Sequence, residues 1–138
     1  MRNPRREAER WYRQAACDLE LARYVAQGGF YFAACFHAQQ SAEKALKACR
    51  YAQGERVVLG HSVLRLAEEC DKVDPRFANI ARECGRLDVF YIPTRYPNGL
   101  PDGTPAEVYT EADAELALRL AQQVLGLVMK VLDLKSET

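Results

Sequence analysis

Three short blocks of this chain carry side chains able to hold an anion or move a proton. The first is Gln39-Gln40-Ser41-Ala42-Glu43-Lys44-Ala45-Leu46-Lys47. On a helix, Gln40, Lys44 and Lys47 fall at i, i+4 and i+7 and share one face. An amide and two ammonium groups converging there suit a phosphate, although an ordinary solvated polar face has the same spacing. The second block, Gly60-His61-Ser62, puts an imidazole at the mouth of a helix, where it can assist proton transfer or touch a phosphate. Its plainer reading is a local cap, with His61 or Ser62 satisfying free backbone N–H groups. The third block is Tyr91-Ile92-Pro93-Thr94-Arg95-Tyr96-Pro97. A guanidinium binds phosphate bidentately and a tyrosine ring stacks on a nucleobase. The competing reading has both tyrosines packing a loop while Arg95 pairs with a carboxylate.

Other chemistries lack their signatures. There is no phosphate-binding glycine loop of the Walker or dinucleotide type, no G-x-S-x-G elbow and no H-E-x-x-H. His37 and His61 are far apart in sequence and in no metal-ligand spacing, so neither a metal nor a cofactor is expected. Arg56 and His61 have an Arg-x4-His spacing, a pairing that chance produces often. The five cysteines, at 17, 35, 49, 70 and 84, are odd in number and form no C-x-x-C pair, which reads as reduced thiols in a cytoplasmic protein.

Nineteen Lys plus Arg balance nineteen Asp plus Glu, which excludes a strongly basic nucleic-acid coat and leaves anion binding to local clusters. The run Arg2, Arg5, Arg6, Arg10 and Arg13 is diluted by Glu7 and Glu9 and reads as a solvated helix face. The N-terminus lacks the apolar stretch of a signal peptide. The most apolar segment, Leu116 to Leu134, is interrupted by Arg119, Gln122, Gln123, Lys130 and Asp133 and reads as an amphipathic helix, so no membrane association is expected.

The elements that must position these blocks are helices. With 138 residues, 49% of them hydrophobic, the chain suits a single domain spanning 1–138. Apolar residues recur at three- and four-residue steps over about 5–27, with Gly28 and Gly29 as terminators. A second helix over about 30–53 carries the small-residue stripe Ala34, Ala38, Ser41, Ala45, Ala48 and Ala52, while Phe32, Phe36 and Leu46 point elsewhere. Such two-sided apolarity needs two burial partners, one of which could be another subunit. A short helix over about 62–72 follows. A fourth starts at Asp74-Pro75, carries Phe77, Ile80, Ala81, Cys84, Leu87 and Tyr91 as its stripe, and ends at Pro93. Residues 92–109 hold four prolines and two glycines and form a long loop, and Thr110 with Asp113 opens the last helix as a capping box. The expected architecture is an all-α, antiparallel up-and-down bundle of four main helices plus one short helix.

Taken together, Gln40-x-x-Glu43-Lys44-x-x-Lys47, His61-Ser62 with Leu64 and Leu66, and Tyr91-x-x-x-Arg95-Tyr96-Pro97 resemble the HEPN domain family. Trp11 and Asp18-Leu19 suit the same pattern, and the likeness covers about residues 8–132. The resemblance implies a helical bundle that commonly dimerises and associates with a nucleotide or RNA. It also implies pairing with a small nucleotidyltransferase in toxin–antitoxin or stress modules. The expected nucleotide-binding residues are Gln40, Lys44, Lys47, His61, Tyr91, Arg95 and Tyr96. Ribonuclease members of the family carry a late Arg-x4-6-His motif. Here the corresponding positions after Arg95 are Leu100, Pro101 and Asp102, so the general base is missing from its expected place. His61 and Arg95 are the catalytic candidates for an alternative reading, a metal-independent endoribonuclease toxin with the pair assembled at a dimer interface. A further alternative is a non-catalytic interaction module for a nucleotidyltransferase.

Overall fold

The computed structural model describes residues 3–134, and the Arg2 of the N-terminal arginine run lies outside them. The main helices are α1 (Pro4–Gln27), α2 (Tyr31–Ala52), α3 (Val63–Val73) and α6 (Glu111–Leu132), with single-turn helices α4 (Ala81–Cys84) and α5 (Pro105–Val108) between them. No strand occurs among the described residues, and the all-helical class expected from the periodicity is the one observed. No helix among those residues is long and apolar enough to cross a membrane.

The helix boundaries follow local chemistry. Asn3 caps α1 by accepting from the Arg5 and Arg6 N–H groups, and Gly29 beyond its end takes φ +83°, a left-handed conformation suited to glycine. Thr110 and Asp113 form the reciprocal capping box that opens α6.

Helices α1 and α2 make the most extensive contact in the fold, along the small-residue stripe. Ala8, Ala15 and Ala22 of α1 and Ala34, Ala38, Ser41, Ala45 and Ala48 of α2 are all buried, and the Ser41 hydroxyl donates to the Ala15 carbonyl at 2.6 Å. Ala52, at the helix end, is exposed. The second apolar side of α2 is covered within the chain. Leu46 is buried, the Cys70 thiol of α3 lies 3.6 Å from its carbonyl oxygen, and α6 packs along α2 as well. The two-sidedness of α2 therefore needs no second subunit.

Helix α6 runs antiparallel to α1. Tyr12 donates to the Leu125 carbonyl at 3.2 Å, and the Arg5 guanidinium donates to the carbonyls of Leu132 and Asp133 at the opposite end. Arg5 also meets Glu9, and Arg10 meets Glu7, so part of the arginine run is internally paired.

Two departures from regular hairpins shape the site. Residues 53–62 run back along α2, so that α3 begins beside its middle. Gln39 donates its side-chain amide to the His61 carbonyl at 2.9 Å, and α3 then advances alongside α2 toward Leu46 and Gln53. The expected fourth helix is broken into a 3₁₀ turn at Pro75–Phe77, α4, and a 3₁₀ segment at Gly85–Phe90. Two interactions account for the break. A Cβ added to Gly85 would lie 2.8 Å from Leu64 Cβ, so α3 passes against bare backbone there. The Asp88 carboxylate is drawn to the start of α3, accepting from Ser62 Oγ at 2.7 Å, Val63 N at 2.6 Å and Leu64 N at 3.3 Å. The capping reading of Ser62 holds as well, since its hydroxyl accepts from Arg65 N at 3.1 Å.

Candidate functional site

The third block lies where the 3₁₀ segment gives way to the long loop. Thr94 is fully buried and donates its hydroxyl to the Phe90 carbonyl, which fixes the backbone on which the exposed Arg95 sits. Arg95 donates from Nε to the Tyr91 carbonyl at 2.9 Å. Its guanidinium carbon stands 4.6 Å from the centre of the Phe36 ring, 4.7 Å from that of Tyr91 and 5.4 Å from that of Tyr96. It forms no ion pair among the described residues, so the guanidinium is oriented by aromatic faces and its charge is not offset by a carboxylate.

The second block arrives at the same ring. The His61 imidazole stacks on Tyr91 with centroids 4.7 Å apart and planes inclined by 18°. Its side chain is 58% exposed, yet Nδ1 lies 3.2 Å from Oε1 of Glu43, whose side chain is 5% exposed. A carboxylate accepts and does not donate, so Nδ1 carries the hydrogen in this contact and Nε2 of the neutral ring keeps its lone pair. Glu43 is itself held by Gln39 Nε2 at 3.4 Å and by Lys47 Nζ at 3.3 Å. The result is a buried polar network with one exposed end, the imidazole.

The first block does not converge as its spacing implied. Lys47 turns inward, buried against Glu43, with its ammonium 5.7 Å from the Trp11 ring centre. Lys44 pairs with Asp18 of α1 at 2.6 Å, and Gln40 donates to the Gln39 side chain at 2.8 Å. His61, Tyr91, Arg95 and Tyr96 thus come together, Lys47 supports them from below, and Lys44 opens elsewhere. Both lysines acquire carboxylate partners because α1 supplies Asp18 and α2 supplies Glu43.

Three participants were not among the expected site residues. Phe36 carries the guanidinium and precedes Gln40 by one helical turn. Glu43 orients His61 and lies inside the first block, where its i, i+4 spacing to Lys47 was a usable signal. Asp88 organises the start of α3 from 26 residues away, and no local pattern announces it. His37, beside Phe36, is held below its ordinary pKa chiefly by burial and secondarily by Lys44, against an opposing pull from Asp18. No group of three or more metal-ligating side chains comes together among the described residues.

Comparison with known proteins places this geometry in context. Residues 8–132 match the sequence profile described as HEPN domain. The chain is 29% identical over 129 residues to "Putative toxin MJ1304" of Methanocaldococcus jannaschii, covering 88% of this chain and 85% of that protein. Among solved structures it is similar to TT1696 from Thermus thermophilus, with a TM-score of 0.78 and 42% identity over 90% of this chain and 97% of the other. It is also similar to ST0689, described as an archaeal HEPN homologue, with a TM-score of 0.74 and 40% identity over 91% of this chain and 98% of the other.

Proposed function

Because the chain belongs to the HEPN domain family, we propose that it binds the phosphate and base of a nucleotide or RNA at the Arg95, Tyr91 and His61 cluster. The observation that carries this reading is the Arg95 guanidinium, exposed, without a carboxylate partner among the described residues, and held over two aromatic rings at 4.6 and 4.7 Å. Arg95 takes the phosphate, Tyr96 offers a half-exposed ring for the base, and His61 and Gln40 supply hydrogen bonds, His61 accepting at Nε2 and Gln40 donating from its amide. Lys47, neutralised by Glu43, steadies the carboxylate that orients His61, and Lys44, paired with Asp18, borders the cluster's helix without a free charge. The test is calorimetric titration of ATP, GTP and their monophosphates into the wild type and Arg95→Ala. Binding that the substitution abolishes supports the reading; no heat with any nucleotide, or unchanged affinity, refutes it.

The same unit, with a core over residues 8–132, acts in a toxin–antitoxin or stress module, a placement supported by the name of its Methanocaldococcus relative. In this reading the protein is cytoplasmic, its partner is a nucleotidyltransferase, and it forms a homodimer. The exposed Val57, Leu59, Val89 and Ile92, close in sequence to His61 and Tyr91, support the dimer. Sedimentation, alone and with a candidate nucleotidyltransferase, tests both associations.

A second reading, metal-independent RNA cleavage, is favoured by one relationship: His61 and Arg95 each lie 4.7 Å from the Tyr91 ring centre within one chain. His61 Nε2 would take the proton from a ribose 2′-hydroxyl as its oxygen attacks phosphorus. Arg95 would stabilise the charge on the phosphoryl oxygens while the P–O5′ bond breaks, the 5′-oxygen taking a proton from water and a 2′,3′-cyclic phosphate remaining. Loss of cleavage of labelled tRNA and mRNA on His61→Ala would establish it.

A further inference from the structure

A second place where the surface gathers positive charge around an aromatic ring lies on α1, away from the cluster. Glu7, Arg10, Trp11, Arg13 and Gln14 of α1 and Lys44 of α2 line an open groove of about 670 Å³. Three of these six are cations and one is a carboxylate, and Lys44 is further paired with Asp18 at 2.6 Å, so the unpaired charge of the groove rests on Arg13. Glu7 is occupied by Arg10 at 3.0 Å and by the Trp11 indole N–H at 3.2 Å. Arg13 is exposed and forms no ion pair or hydrogen bond among the described residues. Arg6, also exposed, precedes Arg10 by one turn, so Arg6, Arg10 and Arg13 sit at i, i+4 and i+7 along one face of α1.

The groove connects with the cluster along α2. Phe36, Gln40 and Lys44 fall on successive turns and are each partly solvent-exposed, whereas Cys35, Gln39 and Glu43 beside them are buried. Phe36 belongs to the cluster, Lys44 lines the groove, and Gln40 stands between with a polar amide. Eight residues of helix separate the two ends, about 12 Å of axial rise. At ~3.4 Å per stacked nucleotide that distance accommodates three to four nucleotides of a strand.

We propose that the groove between α1 and α2 is a second binding site for a polynucleotide backbone, so that a single strand running along Phe36, Gln40 and Lys44 is held at Arg95 and again at Arg10 and Arg13. This rests on the cluster being the nucleotide site and extends it, since the favoured ligand becomes an oligoribonucleotide and not a free nucleotide. Trp11, packed against Tyr51 at 5.4 Å, lines the groove with the rest of its indole surface, which is of the kind nucleobases contact. The openness of the groove to solvent suits a strand that crosses it better than a small molecule that must be enclosed.

The experiment is fluorescence anisotropy with a labelled ten-nucleotide single-stranded RNA and a labelled dinucleotide, each titrated over a range of salt concentrations. The proteins are the wild type, Arg13→Glu, the double variant Arg10→Glu/Arg13→Glu, and Arg95→Ala, with circular dichroism confirming that each is folded. Charge reversal in the groove is expected to weaken the decamer about tenfold or more and to flatten its salt dependence by about 0.7 in log–log slope per lost phosphate contact. Dinucleotide affinity is expected to stay unchanged in the groove variants and to fall in Arg95→Ala. Unchanged decamer affinity and slope in the double variant overturns the groove while leaving the cluster standing. Decamer binding that depends on the groove but ignores Arg95→Ala overturns the shared track and the cluster instead. Failure of the wild type to bind the decamer overturns both. Equal displacement of the decamer by a polyglutamate peptide assigns the groove to an acidic protein segment and overturns the assignment to RNA.

Discussion

Glu43 holds His61 from beneath, with Oε1 3.2 Å from the imidazole Nδ1, while its other oxygen lies 3.3 Å from Lys47 Nζ. One buried carboxylate therefore sets the orientation of an exposed ring and neutralises a buried ammonium. The two tasks are separable by experiment, because one reads out as function and the other as stability.

Removing the carboxylate leaves Lys47 buried and unpaired. Glu43→Ala is expected to cost about 3–5 kcal/mol in urea denaturation, the range for breaking a buried ion pair on one side. The double variant Glu43→Gln/Lys47→Met should recover much of that stability while leaving His61 without its oriented partner. Equal stability of Glu43→Ala and the wild type would show that the pair is solvated.

Arg95→Lys keeps the charge but loses the planar fork and its stacking on Phe36 and Tyr91. Nucleotide affinity should fall about tenfold, equivalent to about 1.4 kcal/mol, with the melting temperature unchanged because Arg95 is exposed. An affinity retained in the lysine variant would reduce the role of Arg95 to that of a point charge.

At Gly85 the prediction concerns packing. The new methyl of Gly85→Ala would meet Leu64 Cβ at 2.8 Å, so the substitution should destabilise by about 1–3 kcal/mol. In a Leu64→Ala background the contact with the Leu64 δ carbon disappears and the penalty should shrink. A double-mutant cycle by thermal melting measures the coupling, and strict additivity would contradict the contact with the Leu64 δ carbon.

Thiol chemistry should separate Cys17 from the rest. Cys17 is exposed, whereas Cys35 and Cys84 are buried and their thiols are pushed up to about 12, chiefly by burial. Iodoacetamide at neutral pH should modify Cys17 in the folded protein and the others only after unfolding, as mass spectrometry will read. The raised values also make stability depend on alkaline pH. Below the ordinary thiol value of 9.0 both states are protonated, and above it the unfolded chain ionises first. Stability should therefore fall as pH rises from about 9 toward 12, by up to about 1.4 kcal/mol per pH unit for each thiol.

The helices and their caps were legible because each is written in adjacent residues. Ser62, Thr110 and Asp113 act locally, and the alanine stripe of α2 shows its period directly. The order of the three blocks was equally readable through the family resemblance. The direction of the lysines was not, since pairing of Lys44 depends on Asp18 one helix away and burial of Lys47 depends on Trp11. The broken fourth helix escaped for a similar reason. Its apolar spacing is helical, but Asp88 finds stronger donors at the start of α3 than its own helix could offer. The second side of α2 invited a subunit that α3 and α6 make unnecessary, because the return path of residues 53–62 is invisible to periodicity.

Phe36, Gln40, Glu43 and Lys44 all hang from α2, the helix enclosed by α1, α3 and α6. Amide protons along its buried stretch should exchange with deuterium only when the whole molecule opens. Phe36, Gln40 and Lys44 are thereby mounted on the last part of the protein to yield, and warming should abolish binding along them and structure at the same temperature.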